Sequence, residues 1–256
     1  MTSAIQSVAE FSPEIPFWPQ LPQLSERESV IGQGLAILAD LVQPREEGYG
    51  YEVKQGRIDS VLDLLHRSSG ELTSANAAGF GAFEEALSSG LFKSAIAVKG
   101  QIEGPITLSA YLFYQGRPFL SDASLFAAVA FHVSQIICWQ IDRLKSAGLP
   151  VLLFVDEPAL CLEAPAANAV PEEQRLSALS VALDDARIRG AFAGLHCCAA
   201  RSRIFFRSTR TRASSYFLPI RMRLTSCTME DWSPTAWSPL GPDWTALIQQ
   251  ASSRAG

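Results

Sequence analysis

The sequence predicts an α/β fold: a partial or incomplete (β/α)8 barrel with parallel strands. Three observations predict it. Short apolar runs such as Val151–Val155 read as parallel strands covered on both faces. Stretches of helical periodicity separate those runs, as βα units require. Two of the runs finish at Asp156 and His196, and strand ends are where parallel α/β folds carry ligand chemistry.

Taken in order, Ile15–Phe17 lies in EIPFWPQLP, where prolines limit any strand to a brief one. Ser25 with Glu28 forms a capping-box pattern ahead of a helix reaching about Leu41. Gly48–Ile58 reads as a small hairpin or an excursion. Ser74 is expected to cap a helix that carries Phe80, Phe83 and Leu87 and stops near Gly90. Ala95–Lys99 is a compact strand, GQIEGP a glycine turn, and Ile106–Phe113 begins a helix. From about Asp122 to Ala147 a long helix repeats Leu125, Val129, Val133, Ile136, Ile137 and Ile141 on one face, and Gly148 stops it. Val151–Val155 is a strand, Pro171 opens a helix to about Arg187, and Gly190–Leu195 is the next strand. Four strands fall short of the eight that close a barrel in about 250 residues.

Composition narrows the function. The 256 residues are 48% hydrophobic, enough for a sizeable core. A net charge of −5 argues against nucleic acid as a partner. No apolar run reaches about 18 residues, so no membrane span is expected. The first residues lack a basic stretch leading into an apolar core, so no secretion signal is read. Five cysteines without regular spacing suit free or metal-bound thiols in a reducing cytoplasm, so a soluble cytoplasmic protein is expected.

Charge is unevenly spread. Residues 1–200 hold 13 Lys+Arg against 23 Asp+Glu, a net of −10. Residues 201–256 hold eight Arg, no Lys and three acidic residues, a net of +5. The chain is therefore divided into a barrel-like part, 1–200, and an Arg-rich, irregular tail, 201–256. A change of reading frame near Ala200 would produce such a break, and a divergent extension is the alternative.

Several residues could carry chemistry. Asp156 and Glu157 follow directly on a buried-type strand, where a carboxylate can hold an amine or move a proton. Capping a helix or pairing with a lysine is the plainer role. His196 and Cys198 project to one side of an extended chain while Cys197 faces the other. His plus Cys suits zinc, and a core histidine beside a buried thiol is the alternative. Lys99 stands at a third strand end ahead of Gly100. Trp18 and Gln20, on a proline-stiffened loop, are either a substrate wall or core packing. His132, on the long helix, is expected to be structural, and His66 has no partner pattern. Cys138 and Cys161 read as ordinary thiols.

In order and spacing, FWPQLP, VKGQIEGPITL, VDEPAL and GLHCCA resemble the catalytic half of cobalamin-independent methionine synthase and its shorter relatives. That group shares a (β/α)8 barrel superfamily with uroporphyrinogen decarboxylase. The resemblance implies zinc bound by His196 and Cys198, and an amino group of the thiol substrate held by Asp156. It implies methyl transfer from a folate or corrinoid donor to a small homocysteine-like thiol, with Asp156 and Glu157 as catalytic residues and Trp18, Gln20, Lys99 and Asp156 binding substrate. The family's later glutamate and cysteine ligands are not recognisable in this chain, nor is its Gly-Ser-x-Pro-His type opening segment. The alternatives are a non-catalytic barrel remnant and a metal-free decarboxylase of the related branch. An open sheet edge beside Gly190–Leu195 would favour self-association.

Overall fold

A computed structural model describes residues 2–46, 48–161 and 170–197. The described chain is a mixed α/β structure of seven α-helices and two sheets. The helices are α1 (Thr2–Phe11), α2 (Val30–Gly34), α3 (Ile58–His66), α4 (Ala78–Ser88), α5 (Pro105–Tyr111), α6 (Ala123–Leu144) and α7 (Glu172–Ile188).

The parallel sheet holds β3 (Val98–Glu103), β6 (Val151–Asp156) and β7 (Phe192–His196), side by side in that order. Phe17 adds a parallel bridge to Lys99, supported by Ile96 N–H to the Glu14 carbonyl at 2.8 Å and Lys99 N–H to the Pro16 carbonyl at 2.9 Å. Four parallel segments therefore lie side by side in chain order. Helices α5 and α6 separate β3 from β6, and α7 separates β6 from β7.

A smaller mixed sheet joins β1 (Val42–Pro44), β2 (Tyr51–Val53), β4 (Leu112–Tyr114) and β5 (Arg117–Pro118). Its β4–β5 hairpin turns on Gln115 and Gly116, with φ of 52° and 71°. Two consecutive positive φ values match the right-handed twist of the flanking strands, and glycine takes the second without a Cβ clash.

Alternation along β3, β6 and β7 divides the parallel sheet into two faces. The outer face carries Val98, Gly100 and Ile102, then Val151, Leu153 and Val155, all buried. Helix α6 covers it with Ile136, Ile137, Ile141 and Leu144, also buried. A Cβ on Gly100 would lie 2.9 Å from the Gln140 Oε1 and 3.0 Å from a Leu144 methyl, so strand and helix approach closely because this residue is glycine. Gln140 is itself fully buried and satisfied, accepting from the Trp18 indole at 3.1 Å and donating to the Gln101 carbonyl at 3.1 Å. His132 of α6 is equally structural. Its Nε2–H donates to the Gly34 carbonyl at 2.9 Å and its Nδ1 accepts from the Ser68 hydroxyl at 2.5 Å. Burial holds its imidazole down at about 4.

Helix α6 is long and apolar enough to cross a membrane by length and composition, and more than half of that stretch is buried inside the protein. A core helix packed between a sheet and neighbouring helices reaches the same composition.

Several expected boundaries move. The strand expected at Ala95–Lys99 runs from Val98 to Glu103, so most of GQIEGP is strand and only Gly104–Pro105 turns. The helix expected from Ser25 to Leu41 breaks into short pieces, the first capped by Ser25 and α2 capped by Ser29. Helix α4 starts at Ala78, not Ser74; its first N–H groups include Ala78, which donates to the Glu28 carboxylate from another segment at 2.7 Å. Neither α1 nor the pairing of β2 with β4 was expected. The hairpin expected over 48–58 lies earlier, pairing β1 (42–44) with β2 (51–53), whereas the long helix is α6 and the helix opened by Pro171 is α7. The Arg-rich tail, 201–256, lies outside the described residues.

Candidate functional site

The inner face of the parallel sheet is polar along β3 and at the strand ends. On β3 it presents Lys99, Gln101 and Glu103 in alternation with the apolar outer-face residues. In register with them stand Leu152, Phe154 and Asp156 on β6, then Phe192, Gly194 and His196 on β7. Each triplet is one rung. The rung nearest the C-terminal ends of the strands is Glu103, Asp156 and His196, and every member is ionisable.

Asp156 and His196 meet directly. His196 Nδ1 lies 2.9 Å from Asp156 Oδ1, with side-chain exposures of 38% and 24%. The carboxylate accepts the Nδ1–H, which fixes the ring and makes Nε2 the nitrogen that carries the lone pair. Gly194, one rung below, has no space for a side chain: a Cβ there would sit 2.7 Å from the Phe154 ring. Phe154 therefore closes the floor beneath His196.

Glu103 is the residue that sequence reasoning missed. It is 2% exposed, and its Oε1 has no hydrogen-bond partner among the described residues. Thr107 stands beside it, but the Thr107 hydroxyl donates to Glu157 at 2.6 Å. Burial first, then the charges of Asp156 and Glu157, push the Glu103 carboxyl up to about 9. The nearby phenol of Tyr111 is also raised, by burial and then by Glu103.

Glu157 sits behind this rung, at the start of α5. Fully buried, it accepts from Ile106 N–H and Thr107 N–H at 2.9 Å each, besides the Thr107 hydroxyl. These are the first amides of α5, so Glu157 ties the β6 end to the start of that helix. Gly104 makes room for it, since a Cβ there would be 2.2 Å from Glu157 Oε1. Burial raises the carboxyl to about 7 against the pull of those three donors. Every oxygen of Glu157, expected as a catalytic residue, is thus engaged inside the protein at the start of α5.

Lys99 shares the inner face two rungs below Glu103. Its ammonium donates to Gln101 Oε1 at 3.2 Å and lies 5.1 Å and 5.7 Å from the centres of the Phe154 and Phe17 rings. Burial lowers it to about 8, partly offset by the Asp156 charge. Trp18 is 0% exposed, packed edge-on against Phe80 and hydrogen-bonded to Gln140 on the α6 side. It is core packing, and the substrate-wall alternative fails because no part of the ring reaches a surface. Gln20 donates to Gln33 of α2 at 3.0 Å. Cys197 follows β7 and is half-buried, while Cys198 lies outside the described residues. Among the described residues no group of three His, Cys, Asp or Glu side chains is arranged to hold a metal ion.

No protein-family model matches the chain, and neither the curated proteins nor the solved structures contain a match.

Proposed function

We propose that this chain methylates a small thiol in a zinc-dependent reaction, with the site at the C-terminal ends of β6 and β7. The observation that carries the reading is the Asp156–His196 pair. The two residues are in register on neighbouring parallel strands and joined at 2.9 Å. A carboxylate behind one imidazole nitrogen is how proteins orient a metal-binding histidine through the other.

The ligands in this reading are His196 and Cys198, joined by the sulfur of the substrate. Zinc at that position would hold the thiol as a thiolate, the reactive form, at neutral pH. The protein's own part is to fix the His196 ring with Asp156, to exclude water from the floor with Phe154, and to align a folate or corrinoid methyl donor with the sulfur. The four parallel segments, in chain order from Phe17 through β7, are read as one arc of a (β/α)8 barrel.

Metal content of the purified full chain tests the reading. About one zinc per chain is expected, retained in Cys197→Ser and lost in Cys198→Ser. Equal retention or equal loss in the two variants would contradict the ligand assignment.

A further inference from the structure

We infer that Lys99 is a covalent site for a small uncharged aldehyde or ketone, which its amine captures as an imine between the rings of Phe17 and Phe154. This chemistry lies beyond the thiol-methylation reading and uses neither of its zinc ligands.

The chain has four lysines. Lys54, Lys93 and Lys145 are exposed, whereas Lys99 is half-buried on the inner face of β3. Its backbone bridges Phe17 on one side and pairs with Leu152 of β6 on the other, so it stands inside the parallel array and not at its edge. The side chain reaches up one rung, where its ammonium donates to Gln101 Oε1 at 3.2 Å. Gln101 is itself anchored, donating to the Trp18 carbonyl at 3.0 Å. The ring centres of Phe154 and Phe17 lie 5.1 Å and 5.7 Å from Nζ. These rings come from the segments flanking β3, one on each side, and with the amide they set the place of an amine that otherwise swings on a long stem.

The same surroundings make that amine a nucleophile. Burial disfavours the ammonium and lowers it to about 8, against the pull of Asp156. About one-tenth of it is then neutral at pH 7, on the order of a hundredfold more than for a lysine at about 10.4. A desolvated lysine is the usual source of an amine that attacks carbonyl carbon. An acid stands on the same strand and face, one rung beyond Gln101: the Glu103 carboxyl, kept protonated by burial. Nζ adds to the carbonyl carbon as the C=O π bond breaks, and the oxygen takes a proton. The hydroxyl then leaves as water with a second proton, supplied by Glu103, while the nitrogen lone pair closes C=N and the nitrogen gives its protons back. One amine and one carbonyl thus yield one imine and one water, with no change of oxidation state. Aromatic walls favour an apolar body, and the Asp156 charge that acts on Lys99 disfavours a carboxylate there, so the compound is uncharged.

Reductive trapping in the full chain tests this, with butanal as the probe and cyanoborohydride to convert the imine into a stable secondary amine. Peptide mass mapping at pH 7 reads each lysine and the α-amino group separately. Lys99 should gain a butyl group at least about tenfold faster than Lys54, Lys93 or Lys145. Its rate should level off as butanal rises, as a site that fills requires. 4-Oxobutanoate, the same chain ending in a carboxylate, should trap Lys99 more slowly than butanal. Trapping of Lys99 no faster than that of the exposed lysines would overturn the site. So would a rate that stays linear in butanal, the mark of a reactive amine with no binding slot. Trapping by 4-oxobutanoate as fast as by butanal would overturn the assignment to uncharged carbonyl compounds. None of these readouts depends on zinc, so they stand whichever way the metal analysis falls.

Discussion

The two faces of the parallel sheet use the same three strands for opposite ends. On the outer face, Val98, Ile102, Val151, Leu153 and Val155 are buried against α6, and the polar groups that reach this layer, Gln140 and His132, are fully paired. On the inner face, Glu103 keeps an oxygen unpaired among the described residues, and Asp156 and His196 remain partly open to solvent. The outer face is built for stability, and the inner strand-end rung keeps polar groups available at a cost to stability. The neighbours Asp156 and Glu157 divide along the same line. Glu157 has every oxygen bound inside the protein, whereas Asp156 holds an imidazole at the surface.

The largest break in this comparison is expected from Glu157→Ala. It strands two amides and a hydroxyl in a buried place and should lose about 4 kcal/mol in chemical denaturation. Leu153→Ala, a cavity in the outer face, should follow at about 3 kcal/mol. A loss below about 1 kcal/mol in Glu157→Ala would show that its donors find other partners.

The two sides should also respond to pH with opposite signs. His132 is held neutral, with its folded value down at about 4 from 6.5. Its contribution is present above 6.5 and is lost as the pH falls through 4, on the order of 3 kcal/mol over that window. Glu103 is held protonated, with its folded value up at about 9 from 4.5. Its contribution is full below 4.5 and is lost as the pH rises through 9. Unfolding measured from pH 4 to 9 should therefore be flatter on the alkaline side in Glu103→Gln than in the wild type. Identical alkaline limbs would mean that Glu103 is ionised in the folded protein. The smallest effect is expected from Asp156→Asn, below about 1 kcal/mol, because a half-exposed pair contributes little.

Much of the outer face was legible in the sequence. Uninterrupted apolar runs marked β6, and the spacing of Val129, Val133, Ile136 and Ile141 marked α6, because burial on one side imposes a period. The ends of β6 and β7 were legible too, since each apolar run stops at an ionisable residue. The β3 end was not. Gly100 and Gly104 made GQIEGP read as a turn, although the first is a strand residue pressed against α6 and the second clears space for Glu157. Continuing the alternation from Lys99 through Gln101 to Glu103 would have found the missed carboxyl. Glu157 could not be told from Asp156 by type or position, because what separates them is the amide ends of α5, which lie about fifty residues earlier in the chain. Trp18 was ambiguous for a similar reason: its partner Gln140 is 122 residues away.

The account turns on whether the strand-end rung holds a metal that meets a thiol. Cobalt(II) substituted into the full chain reports both in one spectrum, because a sulfur bound to cobalt gives an intense near-ultraviolet charge-transfer band. The wild type should show a band from Cys198 that grows when 4-sulfanylbutanoate is added. His196→Ala should lose the thiol-dependent growth, and Glu157→Gln, provided it folds, should keep it. A thiol response that survives in His196→Ala, or none in the wild type, would contradict the assignment of the rung as the catalytic end.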